Sequence, residues 1–429
     1  MDVSVKKLPQ SKMEFTITLP WEEWKGEIDH AAIDLGKQIK VSGFRPGKVP
    51  RNVIEQRLGK QAILVEAAEH AVRHSYEHAL AKEKIDAIGV PDVKLGTLAE
   101  NEALTFSVVT AVMPDVKLGS WQSVVKKLNA EYAKKSDAIS DDEIAKELER
   151  LASMRAKLVT VNREARLDDN VIVDFSVMQN GVLIEHGKSE KHPLVLGKGV
   201  FIPGFEEQLV GMQAGEEKTF ELTFPKEYHA KHLADKPATF VVKMGIVQER
   251  EVPAVDDAFA QSLGKFTTLV ELQNNMRAGL LEEKKVKNKE EHRTQILDAL
   301  GEKATVEFPE ILVTEELERM MREFEAQVHS TGLDMDGYLA TMKKTKEALK
   351  KEWEPQAKKR LTAHMVLDIL AKDEDIVVDN QDIEAAMNQT LARYKDIKDM
   401  EKKIDMERLY AGVRGQLQNE KVFEWLEKL

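Results

Sequence analysis

The sequence predicts a multidomain α+β chain: an N-terminal α+β domain, a β-rich middle domain and an all-α C-terminal domain with helical arms. Three observations carry that reading. The 429 residues exceed a single domain at roughly 150 residues each. Short apolar strands and Gly/Pro turns crowd residues 150–246. From about residue 250 glycine and proline thin out, and the 3.6-residue period takes over.

Taken in order, Met13 to Leu19 alternates apolar and polar residues, the period-2 pattern of a half-buried strand. Pro20 then opens a helix from Trp21 to about Lys40, with Trp21, Trp24, Ile28, Ala32, Leu35 and Ile39 on one stripe. A turn-rich segment, Ser42 to Pro50, interrupts. A second helix follows over Gln61 to Glu83, and Leu104 to Val112 reads as a closing strand. Residues 116–150 form a connector, where Asp141-Asp142-Glu143 begins a helix behind the N-cap residue Ser140. Strands are predicted at Val171–Val177, Thr219–Phe224 and Thr239–Val247. Pro309 sits at a helix start, with Ile311, Leu312, Leu317, Met320, Met321, Phe324 and Val328 along one stripe. Further helices are placed at 267–300, 334–349, 355–372, 380–393 and 404–427.

Composition excludes several functions. With no cysteine, the chain has no disulfide scaffold, thiolate zinc site, iron–sulfur cluster or cysteine nucleophile. Its start, MDVSVKKLPQ, lacks the apolar core of a signal peptide, and no run of about 18 apolar residues occurs, so a cytoplasmic location is expected. The formal net charge is −12, which argues against general nucleic-acid binding unless the charge is uneven. It is uneven. Within 37–60, Lys37, Lys40, Arg45, Lys48, Arg51, Arg57 and Lys60 face only Glu55.

Gly43-Phe44-Arg45-Pro46-Gly47-Lys48-Val49-Pro50 packs two glycines and two prolines into eight residues, the makings of a tight exposed loop. Phe44 then has few ways to be buried, and Arg45 and Lys48 project beside it. An aromatic among cations suits an irregular surface rich in phosphate and carboxylate. A plain helix-connecting turn with solvated charges is the alternative. No phosphate-cradling Walker loop is present: three residues separate Gly43 from Gly47, and Val49 stands where Ser or Thr would bind magnesium. GFRPGKVP behind a WEEW helix resembles the signature loop of the bacterial trigger factor family. The resemblance extends over essentially the whole chain. It implies that Gly43, Phe44, Arg45, Pro46, Gly47 and Lys48 dock on the large ribosomal subunit beside the exit tunnel, on protein and RNA. Pro46 stands where the family often has Lys.

The run Leu196-Gly197-Lys198-Gly199-Val200-Phe201-Ile202-Pro203-Gly204-Phe205-Glu206-Glu207 resembles the central motif of FKBP-type prolyl isomerases, and Gly211-Met212-Gln213-Ala214-Gly215-Glu216 and Phe224-Pro225-Lys226-Glu227-Tyr228 follow in family order. The chemistry is physical: a planar X–Pro amide must rotate over a barrier of roughly 18–20 kcal/mol. An apolar cup lowers it by binding the twisted amide better than either planar form, with no nucleophile or base. The resemblance places Phe175, Ile184, Phe201, Ile202, Phe205, Tyr228 and Phe240 in that cup, with Glu185 at the acidic position beside Ile184. It gives the Tyr228 hydroxyl and the Ile202 N–H to the bound peptide. Ile184 and His192 depart from the family's aromatic walls. Taken singly, each Phe is better read as core.

His70, His74 and His78 share a helix face at i, i+4 and i+8, but packed or solvated histidines are favoured over a metal site. Met320, Met321 and Phe324 read equally as interior or as an adaptable client-binding surface, and the resemblance favours the latter. The chain is thus expected to divide into a ribosome-binding domain (1–115), a connector (116–150), an isomerase domain (151–246) and a helical client-binding domain (247–429). No cofactor is implied. Nascent and unfolded chains are the expected partners, and a homodimer off the ribosome stays open. A free prolyl isomerase and a helical assembly factor are the rival readings.

Overall fold

A computed structural model describes residues 1–39, 44, 49–179, 181–228, 230–231, 233–392 and 405–429; the side chains of Glu185 and His186 lie outside the description. The chain packs as two compact units: Met1–Lys135 with Lys289–Leu429, and Ser136–Asn288.

In the first unit, β1 (Asp2–Leu8), β2 (Lys12–Leu19), β3 (Ala87–Leu95) and β4 (Leu104–Val112) form an antiparallel sheet of order β1-β2-β4-β3. Helices α1 (Trp21–Gln38), α2 (Arg51–Leu58) and α3 (Lys60–Glu83) cover it. Period-2 alternation in β2 and β4 puts Phe15, Ile17, Phe106 and Val108 on the buried face, against Trp24 and Ile28 of α1. Ala31 and Ala32 of α1 and Ala67, Ala68 and Ala71 of α3 are all buried, and small side chains let the two helices approach closely. β1, α2 and β3 were not expected from the sequence. α1 stops at Gln38, where Ile39 turns extended, rather than near Lys40.

The connector region holds β5 (Lys117–Leu118) and α4 (Gln122–Tyr132) in this unit, and α5 (Asp141–Met154) opens the second. Ser140 caps α5 as expected. Its Oγ accepts from the Glu143 N–H at 3.2 Å, and the Glu143 carboxylate accepts from the Ser140 N–H at 2.8 Å.

The second unit is built around β6 (Lys157–Thr160), β7 (Asn170–Gln179), β8 (Val182–Val195), β9 (Glu217–Thr223) and β10 (Pro237–Glu251), with a short helix α6 (Phe205–Leu209). The sheet runs β6-β10-β7-β8, and β9 also pairs with β10. Val171, Val173, Val242, Met244 and Leu196 fill its core. In the same unit, α5 packs its Ile144 and Leu148 against Phe259 of α7 (Asp257–Leu263) and Leu272 of α8 (Leu269–Lys303).

The remaining residues belong to the first unit: β11 (Ala304–Thr305), α9 (Glu310–Ser330), α10 (Met335–Met342), α11 (Lys346–Asp373), α12 (Asn380–Ala392) and α13 (Met406–Leu426). β11 pairs with β5, so this part is not purely helical. The helices expected at 334–349 and 355–372 divide elsewhere. α10 ends where Lys343 turns left-handed, Thr345 caps α11 through the Ala348 N–H at 3.1 Å, and Pro355 lies inside α11 instead of starting a helix. The Thr345 cap and the burial of Leu349 and Ala357 outweigh the one hydrogen bond that Pro355 removes.

Candidate functional site

The second unit gathers the aromatic residues expected at the cup. Phe175 comes from β7, Ile184 from β8, Phe201 and Ile202 from the loop after β8, Phe205 from the first turn of α6, Tyr228 from the loop after β9, and Phe240 from β10. Phe205 is the centre. Its ring lies 4.4 Å from that of Phe201 in a near-parallel stack, 5.5 Å from Phe240 and 6.2 Å from Phe175. Phe175, Ile184, Phe201, Ile202 and Tyr228 are half-buried around this core, whereas Phe205 and Phe240 are buried outright. Glu185's side chain is outside the described residues.

Three further rings belong to the constellation. Phe220, opposite Phe240 in the β9–β10 register, lies parallel to it within 7° at 5.8 Å. Phe224 packs on Tyr228 at 4.7 Å. His192, whose departure from an aromatic wall the sequence flagged, meets Phe175 and Phe201 edge-on at 5.6 and 5.4 Å. Edge-to-face and offset contacts of this kind add to burial and hold the rings in fixed orientations.

Glu206 was not singled out from the sequence, where it is one charged residue beside another. It is only 5% exposed, and its carboxylate collects four backbone N–H groups. Oε2 accepts from Gly197 at 2.7 Å and Gly199 at 3.0 Å, and Oε1 accepts from Val200 at 2.7 Å and Phe201 at 3.3 Å. The loop can coil around one side chain because Gly197 and Gly199 take φ of +87° and +66°, a region that disfavours a Cβ. Glycine spacing around an acid is the signal that could have found it. Burial pushes the Glu206 carboxyl up, but the N–H groups of Gly199, Phe201, Val200 and Gly197 outweigh it and hold it below its ordinary value. Asp169 is lowered likewise: burial raises it, and the Arg163 guanidinium at 2.6 and 3.0 Å and the Arg166 N–H bring it down.

Both folded values lie below the unfolded ones, so these carboxylates stabilise the fold at pH above about 4.5, and that stability is lost as pH falls through the folded values. Thermal melts followed by near-ultraviolet circular dichroism should show the second unit losing stability between pH 5 and pH 3, and Glu206→Gln should flatten that dependence. An unchanged slope would remove Glu206 from the account.

Gly43, Arg45, Pro46, Gly47 and Lys48 of the basic loop in the first unit lie outside the described residues. Phe44 is described and is 42% exposed, between α1 and α2. The flanking cations are less free than the sequence suggested. Arg51 bonds to Glu55 at 2.7 Å and Glu100 at 2.8 Å, Lys37 to Asp34 at 2.6 Å, and Lys60 reaches Glu100 at 3.6 Å. The histidine stripe also has carboxylate neighbours. His70 and His74 face Glu27 of α1 at 3.8 and 3.3 Å, and His78 lines one hollow together with His74 and Glu27. Among the described residues no three such groups are spaced to hold a metal ion, and no helix is long and apolar enough to cross a membrane. In α9, Met320 and Met321 are buried, and Phe324 sits edge-on to Tyr338 at 5.5 Å and Trp353 at 5.3 Å.

Comparison with known proteins agrees with this arrangement. Residues 1–151 match the model of bacterial trigger factor protein, 161–245 that of FKBP-type peptidyl-prolyl cis-trans isomerase, and 268–428 that of the trigger factor C-terminus. The chain is 33% identical over 410 residues to the trigger factor of Carboxydothermus hydrogenoformans, covering 95% of each. It is 34% identical over 397 residues to that of a Geobacillus species, covering 92% of this chain and 91% of the relative. A solved structure described under substrate recognition by the trigger factor chaperone shares the fold, with a TM-score of 0.50 at 20% identity, over 100% of this chain and 99% of that one. The aromatic cup lies within a peptidyl-prolyl isomerase domain, and the chain that carries it belongs to the bacterial trigger factor family of chaperones.

Proposed function

We propose that this chain works at the large ribosomal subunit near the exit tunnel, holds emerging polypeptide without ATP, and isomerises X–Pro bonds in the aromatic cup. Residues 1–115 would dock, 116–150 connect, 151–246 isomerise and 247–429 hold client. The observation that carries the docking is Phe44. Phe44 is 42% exposed in a sequence run that carries Arg45 and Lys48, and an exposed aromatic among cations suits a phosphate-rich partner surface.

The isomerase assignment goes to Phe175, Ile184, Glu185, Phe201, Ile202, Phe205, Tyr228 and Phe240 as a group. Client holding is assigned to exposed aliphatics of the helical part, Leu333, Met342, Val377 and Met406, and to the half-buried Phe324. Met320 and Met321 would join only where the packing of α9 on α10 and α11 opens. Release is passive because each apolar contact is weak and exchanges fast. A homodimer off the ribosome is the further partner this reading allows.

The test is a paired measurement on the full chain: cosedimentation with ribosomes across a salt series, and suppression of aggregation of a proline-poor denatured client. Binding that weakens with salt, together with client protection in the absence of ATP, is expected. Salt-independent binding or no protection would overturn the respective half.

A further inference from the structure

The face of Phe205 that would receive a proline ring already carries a ring, that of Phe201. Phe205 is 0% exposed, so in the free protein the floor of the cup offers no open surface. The Phe201 ring covers it at 4.4 Å, parallel within 15°. Phe175 and His192 close on Phe201 edge-first, both at 5.4 Å, with interplanar angles of 89° and 81°. Three rings that would hold a proline thus hold a side chain of the same loop.

That loop cannot carry its side chain away by moving as a body. The N–H groups of Val200 and Phe201 are bonded to Glu206 Oε1, and those of Gly197 and Gly199 to Oε2. Charge-assisted hydrogen bonds to a buried carboxylate are among the strong ones, and breaking them strands a charge. Rotation about χ1 of Phe201 costs none of these bonds. Val200, its neighbour, is 73% exposed, and the Phe201 ring is itself only half-buried, so this stretch of the loop borders solvent.

We propose that Phe201 is a gating and specificity-determining residue of the isomerase: its ring occupies the proline seat in the free protein and swings out about χ1 to admit the X–Pro segment. This rests on the assignment of the cup above. The ring is half-buried rather than sealed in, so the closed rotamer is not locked by full burial. Apparent affinity for substrate is then reduced by the fraction of molecules that are open. An aromatic stack of this kind corresponds to about a two- to tenfold bias. The gate keeps an apolar floor covered between turnovers and selects for segments that bind well enough to displace it.

The experiment uses the full-length chain and an Ala-Leu-Pro-Phe chromogenic peptide. Phe201→Ala and Phe201→Leu are expected to lower KM about two- to tenfold, whatever either change does to kcat, while Phe205→Ala abolishes turnover. If both Phe201 variants leave KM unchanged or raise it while Phe205→Ala is dead, the gate is wrong and Phe201 is a plain wall. If Phe205→Ala keeps full activity, the cup assignment itself fails, and the gate with it. A measurement needing no truncation runs beside these: 4-fluorophenylalanine placed at position 201 should show its fluorine resonance shift as saturating peptide moves the ring off Phe205. A resonance unmoved by saturating peptide overturns the gate even if a variant misfolds.

Discussion

Replacing Phe44, Arg45 and Lys48 together by alanine is expected to abolish cosedimentation with ribosomes and leave the far-ultraviolet circular dichroism spectrum unchanged. The reasoning is local. Phe44 is 42% exposed, so its removal takes nothing from the core of the first unit, which is built on Phe15, Ile17, Trp24 and Phe106. Arg51, at the start of α2, bonds to Glu55 of the same helix and to Glu100 between β3 and β4, and it should be left in place. A partner rich in phosphate would feel each cation as a contact with a salt dependence. Removing Arg45 or Lys48 singly should weaken binding and reduce the slope of log affinity against log salt by roughly one. Phe44→Ala alone should weaken binding with the slope retained, since an apolar contact releases no counterions. Undiminished cosedimentation of the triple variant would sink the docking assignment.

How far the sequence alone reached depends on what each element needs. β2 and β4 were legible because they are central strands with one buried face, so their alternation is enforced. β1 is an edge strand with exposed Lys6 and Lys7, and its apolar residues are too few to show a period. β3 hid behind Gly89 and Pro91, which sit at a register shift between Ile88 and Asp92. Punctuating residues there mark a bulge on an edge, not the end of a strand. Pro355 misled in the opposite sense, since a proline that reads as a helix start can be tolerated inside a well-capped helix. In the cup, residue types and order identified the rings. Stacking of Phe201 on Phe205 and the four bonds to Glu206 were not legible, because they are set by how a glycine-bent loop closes in space.

Substitutions in the cup should separate the two activities. Phe205→Ala is expected to lower kcat/KM for a proline peptide at least about a hundredfold, because four rings of the constellation are oriented by contact with it: Phe201, Phe175, Phe220 and Phe240 all lie within 6.2 Å. Its full burial also makes it a folding residue, and a Phe→Ala change of that kind typically costs about 3–5 kcal/mol. Tyr228→Ala is therefore the cleaner partner variant. Tyr228 is half-buried at the edge of the core, so its removal opens no sealed cavity, and a loss of roughly tenfold or more is expected with the near-ultraviolet spectrum otherwise preserved. If holding client is a function of the helical part, Tyr228→Ala protects a proline-poor denatured client from aggregation as well as the unaltered chain does. It should fail only to accelerate refolding of a client limited by proline isomerisation, a step that uncatalysed takes tens of seconds. Loss of protection in step with loss of isomerisation would make the cup the client site. The helical domain would then be a means of delivering substrate to an isomerase.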